Sequence, residues 1–158
     1  MKSPWERRRI EGMETWKSAA HVRYNLWYHF VWSPKYRKEA IKEKEVKKFI
    51  YQVLKGIGER YEFDVQRVAV DDDHVHVFMG APPRYAPAEM AKLMKGITAR
   101  EVFKVFPGKK RILWGGEFWE DGYCVRSVGD KVTEEIVKEY IERHYKEKGH
   151  EPHQLELF

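Results

Sequence analysis

Two histidines separated by one valine, His74 and His76, sit inside the stretch VDDDHVHVFMG at residues 70–80. A β-strand sends alternate side chains to opposite faces, so both imidazoles leave one face while Val75 and Val77 leave the other. Two imidazoles at that spacing form a bidentate platform for a divalent transition metal. Such a site needs a third ligand and open positions for a substrate. Further along, in KEYIERH, Tyr140 and His144 are four residues apart, one turn from each other on one helical face. If that face docks over the histidine pair, His144 completes the ligand set and the Tyr140 hydroxyl points at whatever the metal binds. A phenol beside a metal-bound phosphodiester is a nucleophile for phosphoryl transfer. The metal polarises a phosphoryl oxygen, and attack by the tyrosine oxygen splits one hard displacement into two easier ones. An ordinary phenol pKa of about 10 means that a nearby base or cation must help remove the proton.

The same residues admit plainer roles. A His-x-His pair on a strand also occurs half-buried without metal. Tyr140 fits an apolar helical stripe, and His144 suits a helix C-terminus, where a cation complements the dipole. Tyr123 and Tyr145 are rival phenols. Asp71, Asp72 and Asp73 offer carboxylate ligands in place of His144, or simply make a turn.

The elements that must position these residues follow from the pattern. YNLWYHFVW (24–32) is aromatic, β-branched and free of Gly and Pro, which suits a first strand. From Glu45, Val46, Phe49, Ile50, Val53, Leu54 and Ile57 recur at three-and-four spacing and predict an amphipathic helix, with Gly58 near its end. FDVQRVAV (63–70) alternates as a second strand, the three aspartates turn, and HVHVFMG (74–80) returns as its hairpin partner. Pro87 opens a second helix carrying Met90, Leu93, Met94 and Ile97, which FPGKK ends. YCVRSV (123–128) reads as a fourth strand, and a last helix with Tyr140 and His144 begins after Asp130. The order β-α-β-β-α-β is the split βαβ, or ferredoxin-like, α+β arrangement: an antiparallel sheet with two helices on one face. Val75 and Val77 supply the helix-side surface, and the extra C-terminal helix is then the candidate cover for the histidine face.

Bulk properties bound the function. The chain has 158 residues and 42% hydrophobic content, one domain with a sizeable core. We divide it into an N-terminal extension (1–20) with the run Arg7, Arg8, Arg9, a domain (21–148) and a tail (149–158). Lys and Arg number 30 against 25 Asp and Glu, and the pI near 9.2 favours a polyanionic partner. The single cysteine, Cys124, excludes an intrachain disulfide and a cysteine-based zinc site. No apolar run reaches the ~20 residues of a membrane span, and the N-terminus lacks the apolar core of a signal peptide. The chain reads as cytoplasmic.

Five blocks in order, YHFVWSPKYR, DHVHVFM, MKGITAR, LWGGEFWEDGYCVRSVG and VKEYIERH, resemble the small single-tyrosine transposases of the HUH superfamily, the TnpA-type enzymes that move insertion sequences as single-stranded DNA. The resemblance runs from about Arg23 to His144. It implies the ferredoxin-like fold, a homodimer, a divalent Mg²⁺ or Mn²⁺ cofactor and DNA hairpins at element ends as partners. It also implies strand cleavage that leaves a 5′-phosphotyrosine and a free 3′-OH, followed by rejoining. His74 and His76 match the family's histidine pair and Tyr140 its nucleophile. The family's glutamine four residues after the tyrosine is replaced by His144, whose softer nitrogen favours Mn²⁺ over Mg²⁺.

Single-stranded DNA is held by basic side chains and by aromatic platforms for unstacked bases. The candidates are Lys35, Arg37, Lys95, Arg100, Lys109, Lys110, Arg111 and Trp114. The sequence admits two other readings: a domesticated relative that nicks or binds chromosomal repeat hairpins, and a non-catalytic ferredoxin-like nucleic-acid-binding module.

Overall fold

A four-stranded antiparallel sheet organises the protein. The computed structural model describes residues 16–35, 40–113 and 117–129. The expected last helix with Tyr140 and His144, and also Arg37, Trp114 and the Arg7–Arg9 run, lie outside the described residues. A small hairpin comes first, β1 (Lys17–Ala19) and β2 (Val22–Tyr24), turned by His21 at φ 64°. Then follow β3 (Trp27–Trp32), helix α1 (Lys44–Tyr61), β4 (Asp64–Val70), β5 (Val75–Gly80), α2 (Pro87–Val105), the short α3 (Gly108–Ile112) and β6 (Cys124–Val128). The sheet order is β4-β5-β3-β6, with every pair antiparallel. Each crossover through a helix therefore skips one strand, which is the ferredoxin-like topology expected from the sequence.

One face of the sheet carries the core. Phe30 and Trp32 of β3 and Val75, Val77 and Met79 of β5 are buried there with Val46, Ile50, Leu54 and Ile57 of α1 and Met90, Met94 and Val102 of α2. The α1 residues recur every three or four positions, and in α2 the buried Thr98 continues the four-residue step from Met94 to Val102, so each helix lays one stripe on the sheet. Strand β4 joins this face through an irregularity. Its register with β5 shifts between Val65 and Arg67. A bulge of one residue changes the alternation, so Val65, Val68 and Val70 all pack on the core, where strict alternation would have turned Val68 and Val70 away from Val65.

Gly58 lies near the end of α1, as expected; the helix continues to Tyr61 and stops at Glu62 in the left-handed region, φ 60°. What Gly58 provides is closeness. A Cβ there would lie 2.8 Å from Val65 Cγ2 and 3.0 Å from the Phe63 carbonyl oxygen, so the helix end rests directly on β4. The connector before β6 is tied down as well. Lys35 N–H donates to Phe118 O and Glu120 N–H to Ser33 O, both at 2.9 Å. The Trp119 indole N–H donates to the buried Thr98 hydroxyl at 2.9 Å. No helix among the described residues is long and apolar enough to cross a membrane.

Candidate metal centre and nucleic-acid surface

The second face of the sheet holds the candidate site. Opposite the core-facing residues of β3 and β5 stand Trp27, His29, His76 and Phe78, with Arg126 and Val128 from β6 beside them. Trp27 stacks on Phe78 at 5.2 Å between ring centroids, and Phe78 packs on Val128. This gives the face an apolar end next to an imidazole end.

His74 is the last residue of the aspartate turn rather than the first of β5, because its carbonyl accepts the Asp71 N–H at 2.8 Å and closes the hairpin. Lys47 of α1, itself nearly buried, pairs with Asp72 at 2.5 Å and pins the turn to the helix. The rings of His74 and His76 come within 4.6 Å between centroids, their planes 76° apart, and both residues are buried. Each is held at Nδ1. Asp73 Oδ1 lies 2.5 Å from His74 Nδ1, and His29 Nε2 lies 3.1 Å from His76 Nδ1. A carboxylate can only accept here, so the proton of a neutral His74 sits on Nδ1 and its Nε2 keeps a lone pair. Metal-binding histidines are commonly oriented in this way through the other ring nitrogen. Burial first, and then the Arg126 charge, lower the His29 pKa to about 4, so this ring is neutral at pH 7.

The acidic turn adds a donor. Asp71 is buried. Its Oδ1 accepts the Asp72 N–H at 2.7 Å, while Oδ2 is enclosed without a hydrogen bond, 3.6 Å from His74 Nε2. Ligand atoms of Asp71, Asp73 and His74 all fall within 4.8 Å of one another. Two donors bonded to one cation at about 2.1 Å stand roughly 3–3.5 Å apart, close to the Asp71–His74 separation. Buried nitrogen donors next to a carboxylate oxygen that lacks a donor fit a divalent cation such as Mn²⁺ or Mg²⁺. Of the expected ligands, the structure brings His74 and His76 together; His144 is outside the described residues. Two of the three aspartates that the sequence offers as alternative ligands, Asp71 and Asp73, do lie beside His74, whereas the place of His29 beside His76 has no signal in the sequence. His29 and His76 lie 47 positions apart, and only the β3–β5 register joins them.

The basic candidates divide by what their charges already touch. Lys109 is buried, and its ammonium meets both Glu43 carboxylate oxygens at 2.6 and 2.7 Å. Lys95 donates to the carbonyls of Glu120 and Gly122 at 2.8 and 2.7 Å and so holds the connector before β6; burial lowers its pKa, and Asp121 opposes that shift. Lys35 pairs with Glu117. Arg100, Lys110 and Arg111 are exposed.

Comparison with known proteins shows what the chain is similar to. Residues 22–144 match the family described as Transposase IS200 like. The chain is 33% identical over 135 residues to the ISDra2 transposase TnpA of Deinococcus radiodurans, covering 85% of this chain and 95% of that one. It is 28% identical over 131 residues to the transposase for insertion sequence element IS200 of Salmonella typhimurium, covering 83% and 84%. A solved structure of a transposase candidate from Deinococcus radiodurans R1 superposes with a TM-score of 0.65 at 31% identity, covering 85% of this chain and 98% of that one. A REP-associated tyrosine transposase bound to a REP hairpin shares the fold at a TM-score of 0.56 and 12% identity, covering 84% and 75%.

Proposed function

The chain belongs to the IS200-like transposases, and from that premise we propose that it cleaves and rejoins single-stranded DNA through a covalent phosphotyrosine on Tyr140. The observation that carries the proposal is the buried His74–His76 pair with both Nδ1 atoms engaged, within a family match that extends through Tyr140 and His144. His74 and His76, with His144 and the Asp71 carboxylate as candidate further donors, hold a divalent cation. When bound, that cation supplies Lewis-acid stabilisation of charge on the scissile phosphate. The Tyr140 oxygen attacks phosphorus, the bond from phosphorus to the 3′ oxygen breaks, and the departing 3′ oxygen takes up a proton. The 5′ phosphate stays on the tyrosine until a 3′-OH reverses the step and rejoins a strand.

Arg100, Lys110 and Arg111, exposed on α2 and α3, contact the DNA backbone, as does Arg37, while Trp114 offers a stacking surface. Lys35, Lys95 and Lys109 lie in the same regions but act chiefly on the protein's own groups. Hairpins at element ends are the proposed substrates. The proposed homodimer is supported by β6, an edge strand among the described residues, where Val125 is 39% exposed and Tyr123, just before the strand, is 38% exposed.

A denaturing gel tests the mechanism. Hairpin-bearing single-stranded DNA from the gene's own locus, incubated with Mn²⁺, is expected to give cleaved product with wild-type protein and none with Tyr140→Phe, His76→Ala or EDTA. Full cleavage by Tyr140→Phe would transfer the nucleophile's role to another group.

A further inference from the structure

We infer that His29 is a positioning residue of the metal centre: its Nε2 accepts the His76 Nδ1–H and so leaves the His76 Nε2 lone pair to the cation. The inference rests on the metal site proposed above and adds to it a residue on a different strand.

A hydrogen bond between two imidazole nitrogens contains one proton, and the proton can belong to either ring. If His29 donates, neutral His76 carries its own proton on Nε2 and cannot ligate there. If His76 donates, Nε2 is free to ligate. A cation on His76 therefore selects the second arrangement, and His29 is the acceptor that makes it available. Backbone register sets the geometry. Val31 pairs with His76 and His29 with Phe78, so the two rings are diagonal neighbours on one face of an antiparallel ladder, within reach of each other. The N···N distance is 3.1 Å, the ring planes differ by 13°, and the centroids are 5.2 Å apart. That centroid separation is about the N···N distance plus two ring radii. The rings thus lie side by side, edge to edge, as an in-plane hydrogen bond requires. Both residues are buried, so neither ring turns freely. His74 reaches the same condition by another route, through Asp73 in the turn. The pair is oriented once by a carboxylate and once by a second imidazole within the sheet.

The test uses the full chain and Mn²⁺ itself, with affinity read by electron paramagnetic resonance. His29→Phe retains the ring packing but has no acceptor. We expect it to keep its circular dichroism spectrum and to bind Mn²⁺ about 10–100-fold more weakly, the usual range for loss of a ligand-orienting partner. His29→Gln, whose side-chain oxygen can accept in place of Nε2, is expected to recover most of that loss. Nitrogen-15 spectra of the Mg²⁺-loaded wild type should show His76 protonated at Nδ1; protonation at Nε2 would overturn the inference even if the Phe variant failed to fold. Wild-type Mn²⁺ affinity in a folded His29→Phe protein would overturn it, and so would equal impairment of Phe and Gln, which would reduce His29 to a packing role. Mn²⁺ binding that His76→Ala leaves unchanged would remove the metal site itself and the inference with it, a signature distinct from either.

Discussion

The run Lys109, Lys110, Arg111 looks uniform in sequence, and the structure predicts that its members behave differently. Lys109 is 8% exposed at its side chain while its partner Glu43 is 52% exposed. Removing the anion leaves a buried ammonium without its counter-charge; removing the cation leaves a carboxylate that water can solvate. Glu43→Gln should therefore cost about 1–3 kcal/mol, less than the ~3–5 kcal/mol seen on breaking fully buried pairs because half of this one faces solvent. Lys109→Met keeps the apolar stem packed and should cost less than about 1 kcal/mol. The double variant should match Lys109→Met, since no ammonium remains to be stranded. Urea melts give these differences directly, and each kcal/mol should move Tm by roughly 2–4 °C for a chain of this size. The same variants separate structure from DNA contact. Lys110→Ala with Arg111→Ala should reduce the slope of log affinity for single-stranded DNA against log salt by up to about 0.7 per lost contact, and Lys109→Met should leave that slope unchanged. A neutral Glu43→Gln with a costly Lys109→Met, or a salt slope that falls with Lys109→Met, would refute the reasoning.

Three further outcomes follow from the same packing. Burial raises the Glu43 pKa, but the hydrogen bond and charge of Lys109, with its own backbone contact and Lys42, outweigh that and hold it below the usual value. A depressed carboxyl contributes stability above its unfolded pKa and loses it as pH falls through the folded value, so acid melts should show a small loss in that window that Lys109→Met erases. Thr98→Val deprives the buried Trp119 indole N–H of its acceptor and should cost about 1–3 kcal/mol in denaturant melts, with Thr98→Ser costing clearly less. Glu62→Gly relieves a left-handed backbone at the end of α1 and should raise stability by roughly 0.5–1 kcal/mol, the left-handed penalty less the entropy that glycine loses on folding.

Much of the architecture was written in period and punctuation. The four sheet strands and two long helices announce themselves through alternation, three-and-four spacing and Pro87. Their order alone gives the ferredoxin-like arrangement, and the placement of Val75 and Val77 toward the helices follows from parity. What escaped depended on partners distant in sequence. Hairpin β1–β2 is three residues a side, and β1, Lys17–Ala19, has no apolar alternation to mark it within residues 1–20. The bulge at Gln66 is invisible until β4 is laid beside β5. The place of Gly58 near the end of α1 is legible, but its close approach to Val65 shows only in three dimensions. PGKK reads as a breaker, yet Pro107 is well suited to precede a short helix. At the site, the spacing of His74 and His76 suggested shared chemistry, but the orientation of each ring depends on Asp73 in the turn and on His29 across the sheet. Lys109 carries the same charge as Lys110, and burial alone sets it apart.

The most direct test of the central claim is peptide mapping by mass spectrometry after trapping the protein on its cleaved DNA in the presence of Mn²⁺. The account predicts that a 5′-phosphonucleotide remnant is found on the peptide containing Tyr140, and that EDTA abolishes it. A remnant on Tyr123 or Tyr145, or cleavage with no covalent remnant on any residue, would contradict it.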